Sequence, residues 1–163
     1  MSSTIYSNKS QIYFNLYNPP FCGQILRIAI AGYEDKSSKS LPFPLSFLIL
    51  PVILHRDIRS SINPHKNLHT WAIENHYKLQ NFDTNISELI GVTKRSLMLL
   101  LQNKSIKIEN NADLKVLNYR NPKSFSTSEP EMRDCYNKAR SLGSWFGEMD
   151  DLVTIFSLLG VKP

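Results

Sequence analysis

The sequence predicts a mainly α fold with a minor β part (α+β): a helical domain containing a winged helix-turn-helix with a small β-hairpin wing. Three observations point there. Apolar residues recur at helical spacing in several segments separated by polar loops. Residues 86–117, "ISELIGVTKRSLMLLLQNKSIKIENNADLKVL", read as a short helix, a glycine turn, a second helix and a hairpin. The most apolar run, "LPFPLSFLILPVILHR", contains Pro51, which a central strand could not hold because proline donates nothing to a ladder. With 163 residues the chain is expected to form one domain over 1–163, enough for one real core. Its subregions are N-terminal helices over 18–80, the winged-helix-like segment over 81–123 and C-terminal helices over 124–163.

Residues 4–17 alternate loosely and suit a strand or an ordered arm. In "NPP", Asn18 is a candidate N-cap and Pro19 a first helical residue, because proline lacks the N–H that a first turn leaves unbonded. Phe21, Ile25, Ile28 and Ala29 then recur at helical spacing, and Gly32 is a candidate stop. The polar loop "EDKSSKS" follows. The run around Pro51 is apolar on all sides, so it is buried as a kinked helix or as two short helices. "NLHTWAIENHYKLQNF" predicts a further helix burying Leu68, Trp71, Ala72 and Leu79.

In residues 86–117, Ile86, Leu89 and Ile90 supply the apolar side of the first helix. Gly91 suits a left-handed turn and Thr93 an N-cap. Leu97, Leu100 and Leu101 face inward on the second helix. "SIKI" and "DLKVL" alternate around "ENNA", whose asparagines accept positive φ, so they predict the wing. Pro122 marks a boundary. A capped helix is expected from near Ser128, with Glu131 as its capping-box partner. Cys135, Ala139, Leu142 and Phe146 form its buried side, and "DLVTIFSLLG" is a short apolar helix.

Composition narrows the chemistry. "MSSTIYSNKS" has no basic stretch followed by an apolar core, and "PLSFLILPVIL" is about half the roughly 20 residues that a membrane-spanning helix needs. A cytoplasmic protein without membrane association is the expectation. Cys22 and Cys135 are far apart without a C-x-x-C motif, and free buried thiols are expected rather than a disulfide. His65 and His69, four apart, would share a helix face. Pro64, the absence of a carboxylate in register and the absence of H-E-x-x-H speak against zinc. "LHRDIR" around His55 lacks the asparagine and the glycine-rich strand of a kinase. Neither a phosphate-binding loop, nor G-x-S-x-G, nor G-x-G-x-x-G occurs, and "EPE" and "EMDD" suit helix N-termini and solvated surface. The expectation is a non-enzyme with no catalytic residue, no cofactor and no metal.

The charge is unevenly placed. Between Thr93 and Lys123, seven basic residues (Lys94, Arg95, Lys104, Lys107, Lys115, Arg120 and Lys123) face only Glu109 and Asp113, so this segment holds a surplus equal to the +5 of the whole chain. That asymmetry favours an anionic partner. With Leu97, Leu100 and Leu101 inward, Arg95, Leu99 and Gln102 fall on the outer face with Met98 at its edge. A base-reading helix wants hydrogen-bonding side chains there, whereas Leu99 and Met98 suit a protein partner better. Arg95, Met98, Leu99 and Gln102 are therefore the candidate partner contacts, unless terminal segments of the chain itself cover this face. Lys94, Lys104, Lys107 and Lys115 are the candidate phosphate contacts.

Four blocks carry a family resemblance: "NPPFCGQILRIAIAGY" (18–33), "LPFPLSFLILPVILHRDIR" (41–59), "LHTWAIEN" (68–75) and "ARSLGSWFGEMDDLVTIFSLLGVKP" (139–163). Their most specific residues are Asn18-Pro19, Gly32-Tyr33, Leu50-Pro51 with His55, and Leu142-Gly143-x-Trp145-Phe146 ending in Leu159-Gly160-Val161-x-Pro163. In this order the chain resembles the middle component of bacterial ABC three-component conflict systems, least distinctly over 82–123. The resemblance implies a small non-catalytic subunit that works beside an SMC/Rad50-like ABC ATPase and a third, effector-linked component in defence against phage or mobile DNA. The DNA backbone, met within that complex, is a further candidate partner. Asn18, Pro19, Gly32 and Pro51 are then expected to shape the backbone, and Trp71, Trp145 and Phe146 to be core. The alternative function is an autonomous winged-helix DNA-binding regulator.

Overall fold

The structure, a computed structural model, describes residues 17–119 and 129–162. The expectations for residues 4–16, Arg120, Pro122, Lys123 and Ser128 lie outside the described residues. Among the described residues seven α-helices and one hairpin follow in order: α1 (Pro19–Ser37), α2 (Ser46–Ile53), α3 (Arg56–Ser60), α4 (Leu68–Glu74), α5 (Phe82–Gln102), β1 (Ile106–Ile108), β2 (Leu114–Val116), α6 (Pro130–Met149) and α7 (Leu152–Leu158). Short 3-10 turns at Phe43–Leu45 and His76–Leu79 link the smaller helices.

Helix α1 is the axis of the core. Asn18 caps it by accepting the Phe21 N–H at 3.1 Å, with Pro19 at the first helical position, as the sequence suggested. Cys22, Ile25, Leu26, Ile28, Ala29 and Ile30 are fully buried, so this helix is wrapped on more than one side. Its end corrects the expectation at Gly32. The helix runs on to Ser37 and stops at Ser38, which adopts the left-handed conformation at φ 60°. Gly32 is interior because α6 lies against it: a β-carbon there would sit 2.7 Å from the Arg140 carbonyl oxygen. Phe21 meets Tyr136, and the backbone carbonyls of Ala29 and Tyr33 lie against Gly143 and Gly147. These pairings advance together along both helices, so α1 and α6 run in the same direction.

Pro51 lies inside α2, which is fully apolar and buried from Leu48 to Ile53. The apolar run thus forms the 3-10 turn at Phe43–Leu45 and one short helix, and α3 starts at the run's last residue. Buried Arg59 of α3 fastens this corner to α6. Its Nε and Nη2 donate to Asp134 and Glu131, both at 2.9 Å, and its Nη1 donates to the Ile53 carbonyl at 2.8 Å. Glu131 is thus an ion-pair partner from the first turn of α6 and not a capping-box residue; the N-cap position is Glu129.

Trp71 and Trp145 stack obliquely at 5.4 Å between ring centroids. Their indole N–H groups donate to Ser61 Oγ at 2.9 Å and to the Lys66 carbonyl at 2.7 Å. Both rings are core, as expected, and so is Phe146. The helix expected over "NLHTWAIENHYKLQNF" is α4 plus a 3-10 turn, broken at Asn75, and it buries Leu68, Trp71, Ala72 and Leu79.

The largest correction concerns the helix-turn-helix. Residues 82–102 form one unbroken helix, α5, of 21 residues. Gly91 is not a turn, and Thr93 is not a cap but is 1% exposed on the buried side with Ser96, Leu97 and Leu100. That side packs on α1, where Leu100 and the Ser96 carbonyl lie against Gly23. Tertiary burial thus overrides the local preference of glycine for a turn. The hairpin does form: β1 and β2 pair antiparallel with Ile106 opposite Val116 and Ile108 opposite Leu114. Positive φ falls on Ala112 at 67° and not on the asparagines of "ENNA". Asn111 instead supports the turn by accepting the Asp113 N–H at 3.2 Å. The observed fold is therefore mainly helical with a two-stranded antiparallel hairpin.

Candidate interaction surface

The outer side of α5 and the hairpin after it carry all the residues singled out as contacts. On α5 the buried stripe (Val92, Thr93, Ser96, Leu97 and Leu100) turns the opposite side outward. Lys94, Arg95, Met98 and Gln102 are exposed, Leu99 and Leu101 half-buried. Arg95, Met98, Leu99 and Gln102 recur at intervals of three and four, so they form one strip along the helix. Met98 is 59% exposed, large for an unbranched apolar side chain. The Arg95 guanidinium folds over Gly91, where a β-carbon would meet Nη1 at 3.3 Å. Ile90, assigned to the inward side by its spacing, is 36% exposed and lies to one side of this strip.

The hairpin is seated by its inner face. Ile106, Leu114 and Val116 are buried, and Leu41 pairs with Leu114 through two backbone bonds of 2.9 and 2.7 Å. Glu34 of α1 accepts the Val116 N–H at 2.9 Å. Burial pushes the Glu34 carboxyl above its usual range, against the opposing effects of that bond and of Lys115. On the other face Lys107 stands directly opposite Lys115, both exposed. Lys104, just after α5, adopts φ 58°. The hairpin thus sets Lys107 and Lys115 side by side, with Lys104 three residues before Lys107 in the chain. Lys94 stays apart, about 12 Å of helical rise above Gln102.

Spacing alone did not foretell three exposed apolar residues away from this surface: Ile73 and Tyr77 around the end of α4, and Val153 on α7, at 61%, 64% and 59% exposure. Ile73 lies off the stripe of Leu68, Trp71 and Ala72, which is the one signal the sequence held.

The remaining chemistry is sparse among the described residues. No group of three or more His, Cys, Asp or Glu is placed to hold a metal ion. His65 lies before α4 begins, so it does not share a helix with His69. Cys22 and Cys135 are both buried, and neither is in a disulfide. Burial, with Cys135 close by, pushes the Cys22 thiol up to about 12, and burial pushes Cys135 up to about 11, so both are protonated and unreactive near neutrality. A cleft of about 80 Å³ lies between the end of α2 and the first half of α5, lined by residues that include Pro51, His55 and Leu89. No described helix is long and apolar enough to cross a membrane.

A helical framework around one buried helix, with a charged hairpin and an exposed mixed strip, belongs to the class of small mainly helical proteins with a two-stranded hairpin. Residues 6–163 match the family described as ABC-three component (ABC-3C) system Middle Component 3, and the chain belongs to that family. As a middle component of a multi-component ABC system it has partner components. No curated protein and no solved structure gives a match.

Proposed function

We propose that the chain is a non-catalytic, cytoplasmic coupling subunit. It joins an SMC/Rad50-like ABC ATPase to an effector component in a system directed against phage or mobile DNA, and Arg95, Met98, Leu99 and Gln102 are the contact strip. Exposed Met98 beside half-buried Leu99, flanked by Arg95 and Gln102, carries this reading. Methionine and arginine are enriched at protein interfaces, and an unbranched thioether adapts to a partner surface. Family membership supplies the reason to expect partners at all. An autonomous regulator that reads bases is the weaker reading. It needs a separate recognition helix after a turn, and residues 86–102 lie within one helix.

The test is recovery of the tagged protein from its native host with nuclease treatment, followed by mass spectrometry. Stoichiometric ABC ATPase is expected with the wild type. Its loss is expected with Met98→Asp, and more fully with Met98→Asp and Leu99→Asp together. Because Met98 is solvent-facing, its variant keeps the fold, as a thermal melt would verify. Absence of the ATPase from the wild-type eluate would sink the coupling role, and undiminished recovery with the folded variants would move the contact elsewhere.

A further inference from the structure

Where α5 gives way to the hairpin, three lysines sit at positions that local stability does not favour. Lys107 and Lys115 are directly opposed across the strands, and like charges so placed destabilise an antiparallel pair. Strand alternation sends both away from the face that buries Ile106, Leu114 and Val116. Lys104 holds φ 58°, a region that disfavours residues with a β-carbon.

Among the described residues none of the three is in an ion pair. Glu34 feels the charge of Lys115, but its carboxylate accepts the Val116 N–H. Glu109 and Asp113 flank the hairpin turn and are engaged by Ser40 Oγ at 3.3 Å and Asn111 Nδ2 at 2.9 Å. The alternation that turns Lys107 and Lys115 outward puts Glu109 and Asp113 on the same side, one step nearer the turn, so this face is basic toward α5 and acidic at the tip. The acidic tip is repelled from phosphates, so it is the lysine pair at the α5 end of the face that complements a phosphate backbone.

We infer that Lys107 and Lys115 on the outer hairpin face, with Lys104 in the turn before the first strand, form a site for the phosphodiester backbone of nucleic acid, bound without readout of base sequence. This goes beyond the coupling role and does not depend on the α5 strip.

The test is fluorescence anisotropy of the full chain with labelled DNA duplexes of about 30 base pairs, at NaCl from about 20 to about 200 mM. Binding that weakens linearly in log–log form with salt is expected, and it is alike for two unrelated sequences. The double variant Lys107→Ala, Lys115→Ala is expected to lower the salt slope by about 2 and affinity about tenfold or more. Its melting temperature stays level or rises, because a repulsion is removed. No binding at about 20 mM salt, or a salt slope unchanged in the variant, would overturn the proposal. So would sequence preference between the duplexes. Tighter binding of polyglutamate than of DNA through the same lysines would overturn it in favour of an acidic protein partner.

Discussion

Gly143 of α6 lies so close to Ala29 of α1 that a β-carbon added to it would sit 2.0 Å from the Ala29 carbonyl oxygen. Backbone, not a movable side chain, occupies that space. Gly32 and Gly147 repeat the relationship at 2.7 Å from Arg140 and 2.8 Å from Tyr33. Three glycines thus let two long helices approach backbone to backbone.

Gly143→Ala is expected to destabilise the protein by about 3 kcal/mol or more, because α6 must shift along its buried side. Gly23→Ala is the contrasting case. Its β-carbon would meet Leu100 at 3.5 Å, an ordinary contact, and alanine is the better helix former, so a gain of about 0.5 kcal/mol is expected. Urea midpoints of the two variants check both signs.

Arg59 is 2% exposed, while the Glu131 and Asp134 side chains it binds are 43% and 41% exposed. Arg59→Met keeps much of the buried stem but leaves the Ile53 carbonyl without its donor. Because the carboxylates keep access to water, a loss of about 1–3 kcal/mol is expected. Arg59→Lys should lose nearly as much, since an ammonium cannot reproduce the fork that meets three acceptors. Denaturant titration of the two variants side by side gives the comparison.

The Thr93 hydroxyl is buried without a hydrogen-bond partner. Thr93→Val keeps the shape and removes an unmet polar group, so it is expected to raise stability by about 1 kcal/mol. A higher urea midpoint with an unchanged m-value is the expected result. A lower midpoint would mean that the hydroxyl has a partner.

Asp150 ends α6 in the left-handed conformation at φ 47°. It accepts hydrogen bonds from Lys39 Nζ at 2.6 Å and Tyr33 hydroxyl at 2.7 Å. The Lys39 bond, then the Tyr33 bond, hold its carboxyl below the usual range. A carboxyl lowered on folding stabilises the native state above its unfolded pKa, and that contribution fades as pH falls through the folded value. Asparagine tolerates the same backbone but carries no charge. The stability gap between wild type and Asp150→Asn is therefore expected to stay constant from neutrality to about pH 5 and to shrink below about pH 4. Melts across that range check it, and a gap that widens in acid would contradict the sign.

Local signals in the sequence foretold local structure. Asn18 followed by Pro19 marks a helix start because its partner, the Phe21 N–H, is three residues away. "SIKI" and "DLKVL" marked their pairing because alternation and a short turn suffice to define a hairpin. Helical spacing named Leu68, Trp71, Ala72 and Leu79 as buried, and they are. The outer positions Arg95, Met98 and Gln102 followed from the same periodicity, although it put Leu99 more fully outside than its half-buried place.

The tertiary structure decided what glycine and polar residues meant. Glycine is both a helix stop and the residue that lets two backbones touch. Only α6 lying on α1 makes Gly32 the second, and α5 runs unbroken through exposed Gly91 into the turns that bury Val92, Thr93, Ser96, Leu97 and Leu100. The same holds for Thr93, a cap by its neighbours in sequence and a core residue by its neighbours in space. Glu131 is a capping-box residue by spacing but a partner of Arg59, 72 residues away in the chain. By itself the sequence determined the helical and hairpin segments, the uneven charge and the family, because these depend on neighbours along the chain. Where helices end and which polar groups meet depend on residues distant in sequence, so only the packed fold could decide them.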